Sequence, residues 1–378
     1  MAFDLILKGG RIIDPSQKLD QVGDIAFSAG KVAKIAARIE SAPDVHMCDV
    51  SGRIVTPGLI DLHTHVYWGG TSLGVDAPAL ARTSGTTTFV DAGSAGPGNF
   101  HGFRRHVIEP APVRILPYLN ISFAGIYAFS ASVMVGECAD IRLLDLRECR
   151  RVAEENRDLV VGIKVRVGKG AGGASGVAPL DMALEVAEAV GLPVMCHLDF
   201  PPPSRLEVVS RLRKGDVLTH CFRPFPNSPA APEGGVREEI AAARERGVIF
   251  DIGHGQGSFG FGTARAMLAA GFLPDVISSD VHSLSIEGPA FDLLHTLSKF
   301  AALGVPLPQV IRAATCAPAA AIKRPELGSF KPGSVGDATL ISIEEGEFTY
   351  YDVLAEPLKG TKKLAARGIV LGGKWWHP

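Results

Sequence analysis

Residues 54–65 read Ile54-Val55-Thr56-Pro57-Gly58-Leu59-Ile60-Asp61-Leu62-His63-Thr64-His65. Pro57-Gly58 turns the chain, and a short apolar run then carries two histidines to its far end. On a strand, residues i and i+2 point to the same face. Both imidazoles can therefore face one site and bind one metal ion. Two hydrogen-bonded histidines would give the same spacing, so the rest of the chain has to decide.

Seven further apolar runs succeed this one: 86–92, 113–120, 159–165, 192–197, 216–221, 247–253 and 275–280. Amphipathic stretches such as 141–156, 180–190, 237–247 and 291–304 lie between them. Alternating strand and helix signals predict βα units and a parallel sheet buried on both faces. Eight units match a TIM-like (β/α)8 barrel, which typically needs about 250 residues. A doubly wound open sheet would produce a similar pattern.

The ends of the runs favour the barrel. In order they carry His63 and His65, Asp91, Asn120, Lys164, His197, His220, His254 and Asp280. In α/β barrels, the C-terminal ends of the strands build the active site. His197 and His220 end consecutive strands and can converge across the rim. Asp280 can take a proton from a metal-bound water, or it can cap the following helix. Lys164 sits among apolar residues, where a bare ammonium is costly and offers no lone pair to a metal. Carbamylation would answer both problems; a lysine paired with an acid at the mouth is the alternative.

The termini read differently. Short strand-like pieces fill the first 55 residues and the last 45 or so, which predicts one small β-sandwich domain built from both ends. The division expected is 1–55 with 331–378 for that domain and 56–330 for the barrel.

Composition bounds the partners. The chain has 378 residues, with 38 Lys+Arg against 40 Asp+Glu, a net charge of −2 and no long charged block. That gives no basic footprint for nucleic acid. No window of 18 uninterrupted apolar residues predicts a membrane span, and the first residues lack the marks of a secretory signal. The six cysteines form no C-x-x-C pair and read as reduced thiols in a cytoplasmic protein. A small-molecule substrate is expected; self-association into a homo-oligomer is left open.

Taken together, the Pro57–His65 segment followed by Lys164, His197, His220 and Asp280 resembles the amidohydrolase superfamily of metal-dependent hydrolases. The lysine is similar to that of the two-metal subtype related to dihydroorotase, D-aminoacylase and phosphotriesterase-like enzymes. Trp68-Gly69-Gly70-Thr71 resembles the amidohydrolase/deacetylase group. Dihydroorotases usually carry an arginine two residues after the second histidine; Tyr67 stands there instead. Deaminases of the superfamily usually carry His-x-Glu after the fifth strand; here the sequence is His197-Leu198-Asp199.

The resemblance implies two divalent cations, with zinc as the default. His63, His65 and Asp280 would hold one, His197 and His220 the other, and an N6-carboxylated Lys164 would bridge them. A hydroxide shared by the cations would attack an acyl ester or amide of a small substrate, such as an N-acyl amino acid or acylated hydroxy acid, with Asp280 as the catalytic proton carrier. A cyclic amide, as in dihydroorotase, is the alternative substrate. Tyr67, Trp68, Tyr127, Arg166, Arg223 and His254 come after strand ends, and all but Arg166 are taken as substrate contacts.

One motif points elsewhere. Gly168-Lys169-Gly170-Ala171-Gly172-Gly173 matches G-x-G-x-x-G after a strand, as in an NAD-binding oxidoreductase. The next helix pattern starts only near Pro179, however, whereas the fingerprint should open directly into its helix. A loop over the barrel mouth explains the glycines better.

Overall fold

The computed structural model describes residues 3–40 and 45–376. It is a mixed α/β protein built on two large sheets. The N-terminal strands are β1 (Leu5–Asp14), β2 (Leu19–Ser28), β3 (Lys31–Ala36), β4 (His46–Asp49) and β5 (Ile54–Pro57). Then come β6 (Leu59–Thr64), β7 (Thr86–Ala92), β8 (Arg114–Asn120) and a small hairpin, β9 (Ala128–Phe129) with β10 (Met134–Val135). The central strands continue as β11 (Gly162–Val167), β12 (Val194–Leu198), β13 (Val217–Leu218) and β14 (Ile249–Phe250). The chain closes with β15 (Ala338–Tyr351), β16 (Pro357–Leu371) and β17 (Lys374–Trp376).

One sheet joins both ends of the chain, in the order β17-β16-β15-β5-β1-β2-β3. Its strand β1 is shared, since Leu5–Lys8 pair with β4 and Arg11–Ile12 pair with β5. The other sheet is parallel and curled, in the order β14-β13-β12-β11-β8-β7-β6. Segment 276–281 reaches both of its edges through single bridges, Asp251 to Val276 and Thr64 to Val281. Asp280 N–H also donates to His63 O at 2.7 Å, and His65 N–H to Val281 O at 3.0 Å.

The stretch 54–65 holds two strands, one on either side of Gly58. Strand β5 pairs with β15 and β1, whereas β6 pairs with β7. Gly58 is the joint, and it passes so close to β7 that a Cβ there would meet Thr87 Oγ1 at 2.2 Å. Every residue of β6 and β7 is buried, as expected of parallel strands covered on both faces.

Helices return the chain between parallel strands. The helix Leu146–Glu155 starts at Asp145, whose side chain accepts from the Arg147 and Glu148 amides. The helix Ala178–Val190 carries the chain from β11 to β12 and ends at Gly191 in the left-handed conformation. Alternate residues of the parallel strands, including Leu116, Tyr118, Met195 and Val217, form an apolar cluster. Tyr118 and Met195 lie two residues before Asn120 and His197, so they share a face with them and form a floor on that side. No helix among the described residues is long and apolar enough to cross a membrane.

Candidate metal centre

His63, His65, Lys164, His197, His220 and Asp280 all line one pocket with about 300 Å³ of empty space. The six residues come from β6, β11, β12, the turn after β13 and segment 276–281. All six are buried. His63 Nε2 and His65 Nε2 lie 3.2 and 3.3 Å from the same oxygen, Asp280 Oδ1. On the other side, His197 Nδ1 and His220 Nε2 approach to 2.7 Å.

The surrounding hydrogen bonds fix where the imidazole protons sit. Thr219 Oγ1 donates to Asp251 Oδ2 at 2.7 Å, so it can only accept from His63 Nδ1 at 2.8 Å. His220 Nδ1 faces the Gly253 carbonyl at 2.7 Å and must donate to it. His65 Nδ1 is satisfied by Ser94 Oγ at 2.9 Å, and Ser94 in turn bonds Asp91. These partners leave Nε2 of His63 and His220 with lone pairs directed into the pocket. Burial, the largest cause, holds His63, His197 and His220 well below the ordinary imidazole value and pushes His65 down to about 3. Neutral imidazoles beside a carboxylate suit a divalent cation, and the ligand atoms of His63, His65 and Asp280 all lie within 4.8 Å of one another.

Lys164 completes the chemical test of fit. It is fully buried, and its Nζ has no hydrogen-bond partner. Burial pushes its amine down to about 8. The acidic partner that the sequence left open as an explanation of this lysine is absent among the described residues. An amine lowered toward neutrality and without a partner has a larger uncharged fraction than an ordinary lysine, and that fraction is the form that reacts with carbon dioxide. Asp280 is pushed up to about 6, mainly by burial.

The backbone is strained where the site is built. His220 and Asp280 are non-glycine residues with φ of 64° and 48°. Such conformations cost about 1–3 kcal/mol each and persist only where the surroundings enforce them. Gly255 is part of that enforcement, because a Cβ there would meet Asp280 Oδ2 at 2.2 Å.

The residues expected to touch substrate scatter. Tyr67 stacks on Phe103 with 4.5 Å between centroids and does not line the pocket. Trp68 and Tyr127 are exposed and also lie outside the lining. Arg223 donates to Ser258 Oγ at 2.7 Å, just beyond it. His254 is fully buried; its Nδ1 faces Gly255 O, and its Nε2 meets Lys299 Nζ at 2.7 Å. The pocket is lined instead by Leu73, Ile126, Phe129, Arg166 and His282. Arg166 had a legible signal, since it stands at i+2 from Lys164 on one strand face. Phe129 had none, because its place depends on how hairpin β9–β10 folds back.

The glycine-rich loop has its own occupant. Gly170 and Ala171 N–H groups donate to the Asp199 carboxylate at 3.1 and 2.9 Å. These amides already hold an internal anion, which removes the basis for a dinucleotide phosphate there.

Comparison with known proteins gives the same direction. A profile of the Amidohydrolase family matches residues 54–375. This chain belongs to the amidohydrolase family. Like other amidohydrolases, it is a hydrolytic enzyme. It is 33% identical over 345 residues to a deacetylase of Agrobacterium fabrum, covering 91% of this chain and 84% of that one. A crystal structure of an adenine deaminase superposes with a TM-score of 0.92 at 29% identity over the full length of both chains. One of a dihydroorotase gives 0.90 at 32% identity, covering 100% of this amidohydrolase and 99% of the other chain.

Proposed function

We propose that this amidohydrolase uses two divalent cations to remove an acyl group from a small ester or amide, in the manner of a deacetylase. The observation that carries the reading is the convergence of His63 Nε2, His65 Nε2 and Asp280 Oδ1 beside a buried, unpartnered Lys164 Nζ. His63, His65 and Asp280 would hold one cation, and His197 with His220 the other. An N6-carboxylate on Lys164 would join them. Bound cations, zinc by default, polarise the acyl carbonyl and acidify water.

The protein supplies position and proton transfer. Asp251 through Thr219, and Gly253 through its carbonyl, aim the lone pairs of His63 and His220 into the pocket. Asp280 Oδ2, the oxygen not shared with the two imidazoles, is free to take a proton and pass it to the leaving group. Leu73, Ile126 and Phe129 exclude bulk water from one wall of the pocket. The Agrobacterium deacetylase supports acyl transfer, whereas Tyr67 lacks the charge that a dihydroorotase usually places there.

The same reading gives the architecture. Segment 276–281 supplies an eighth strand and closes a (β/α)8 barrel over residues 56–330. Residues 1–55 and 331–378 form a small β-sandwich, supported by an apolar cluster that joins Leu5, Phe27, Val55, Leu340 and Val370. A cytoplasmic location is proposed with it.

The test is direct. Metal is counted per chain, and hydrolysis of N-acetyl amino acids and acetyl esters is measured after reconstitution with zinc and bicarbonate. Two metals with deacetylation support the proposal. A metal-free, inert protein, or one that opens only dihydroorotate, overturns it.

A further inference from the structure

Beside the candidate metal ligands, and in the same pocket, two hydrogen-bond donors flank a single aromatic ring; one of them, His282, lies with its ring centre 6.1 Å from that of His65. Arg166 places its guanidinium carbon 5.1 Å from the centre of Phe129, and His282 meets the same ring edge-on with 5.6 Å between centroids. Phe129 is held in turn by Ser72, whose hydroxyl donates to Phe129 O at 2.9 Å.

Neither donor is used up by the protein. Among the described residues, the Arg166 guanidinium makes one hydrogen bond, from Nη1 to Glu137 Oε2 at 3.3 Å. Glu137 is almost fully buried and anchors the arginine from behind. The other guanidinium N–H groups remain for the pocket that Arg166 lines. His282 Nδ1 accepts the Leu284 N–H at 3.2 Å, so its proton must sit on Nε2. The remaining wall is apolar, formed by Leu73 and Ile126 with Phe129.

A guanidinium with free N–H groups, and an imidazole N–H beside it, is the chemistry that receives a carboxylate. Resting on the hydrolase reading above, we propose that Arg166 and His282 form an anion subsite for a carboxylate on the substrate. The substrate is then an acylated carboxylic acid, not a neutral ester or amide. An apolar substituent on it would lie against Leu73, Ile126 and Phe129. Arg223, the arginine favoured from sequence, also makes one side-chain hydrogen bond, to Ser258 Oγ, but it does not line this pocket.

The test uses N-acetyl-DL-phenylalanine and its primary amide, which differ only in the carboxylate. Binding of each to the zinc-reconstituted enzyme is measured by calorimetry, and turnover is measured separately. The acid is expected to bind about tenfold or more tightly than the amide, the gain of one charge-assisted pair. Arg166→Met should abolish that preference, and Arg166→Lys should restore part of it. In turnover, Arg166→Met should raise KM for the acid far more than it lowers kcat. Equal binding of acid and amide by the wild type overturns the subsite, and so does a preference that survives Arg166→Met. Unchanged melting of Arg166→Lys keeps a folding defect separate. If the wild type prefers the acid through Arg166 but hydrolyses nothing, the subsite stands and the hydrolase reading falls.

Discussion

Asp251 controls His63 across an intervening hydroxyl: 3.7 Å separates Asp251 Oδ2 from His63 Nδ1, and Thr219 Oγ1 is bonded to both. The carboxylate takes the Thr219 proton, which obliges the oxygen to accept from the imidazole. The lone pair on the far nitrogen is thereby presented to the pocket. Thr219→Val keeps the shape and removes the relay. Metal affinity should fall about 10–100-fold, the usual cost of losing a partner of a ligand histidine. Competition against a chromogenic chelator measures it, and unchanged affinity would remove Asp251 from the account.

Gly255 leaves no room for a side chain beside Asp280. Gly255→Ala would place a carbon against Oδ2, at a residue whose φ is +52°. Loss of at least one metal per chain is expected, with the circular dichroism spectrum retained. Full metal content in this variant would show that Asp280 can move without consequence.

Zinc should stabilise the fold as well as activate it. The cluster of unprotonated nitrogens and oxygen around Asp280 is a site that the unfolded chain does not present. At a free zinc concentration one hundred times Kd, the gain is about 2.7 kcal/mol. Melting with and without chelator reads this directly; identical melting curves would contradict a metal site in the folded chain.

Acid should destabilise the chelator-treated protein. Seven buried histidines are held below their ordinary value chiefly by desolvation: His63, His65, His197, His220, His254, His282 and His295. Each contributes stability that is present above pH ~6.5 and lost as pH falls, because below that point the unfolded chain binds protons that the folded chain does not. Asp61, Asp251 and Asp280, pushed up to about 7, 6 and 6, act in the opposite sense. With Asp91 and Asp292, which are also raised, they remain fewer than the histidines. Urea midpoints should therefore fall between pH 6.5 and 4.5. A midpoint that rises over that interval would show the carboxyl groups to dominate.

Lys299 tests a contact between distant parts of the chain. Its ammonium meets three acceptors, His254 Nε2, Pro289 O and Tyr351 O, at 2.7, 2.7 and 2.8 Å. Lys299→Met strands all three and should cost about 3 kcal/mol or more. Thermal melting checks it, and a shift within error would mean that water replaces the amine.

The pattern of strand ends was legible because polar and ionisable residues stand where the apolar runs stop. His63, His65, Lys164, His197, His220 and Asp280 all reach one pocket for that reason. The shortness of β13 and β14 was not legible. The runs containing them look like full strands, but His220 leaves extended geometry one residue after Thr219, and Thr219 and Ser278 add side-chain bonds to Asp251 there. The substrate wall was legible least. Arg166 can be placed from the alternation of a strand, whereas Phe129 and His282 are placed by turns whose course no local pattern announces. His254 lies four residues beyond β14, and its ring is turned to Lys299, far along the chain.

The joint at Gly58 bears on how the protein is made. Strand β5, immediately before the histidine-bearing strand, pairs with residues 338–341. Leu59 N–H is bonded to the Thr339 hydroxyl across 280 residues of sequence. A chain emerging from the ribosome presents His63 and His65 early and can pair their strand with β7, but the β5 segment that leads into it lacks its partner until residues 338–341 have been synthesised. Long-range pairing of this kind forms slowly. A nascent chain cut short before residue 338 would carry His63 and His65 on a strand whose entry at Leu59 has no Thr339 hydroxyl to hold it.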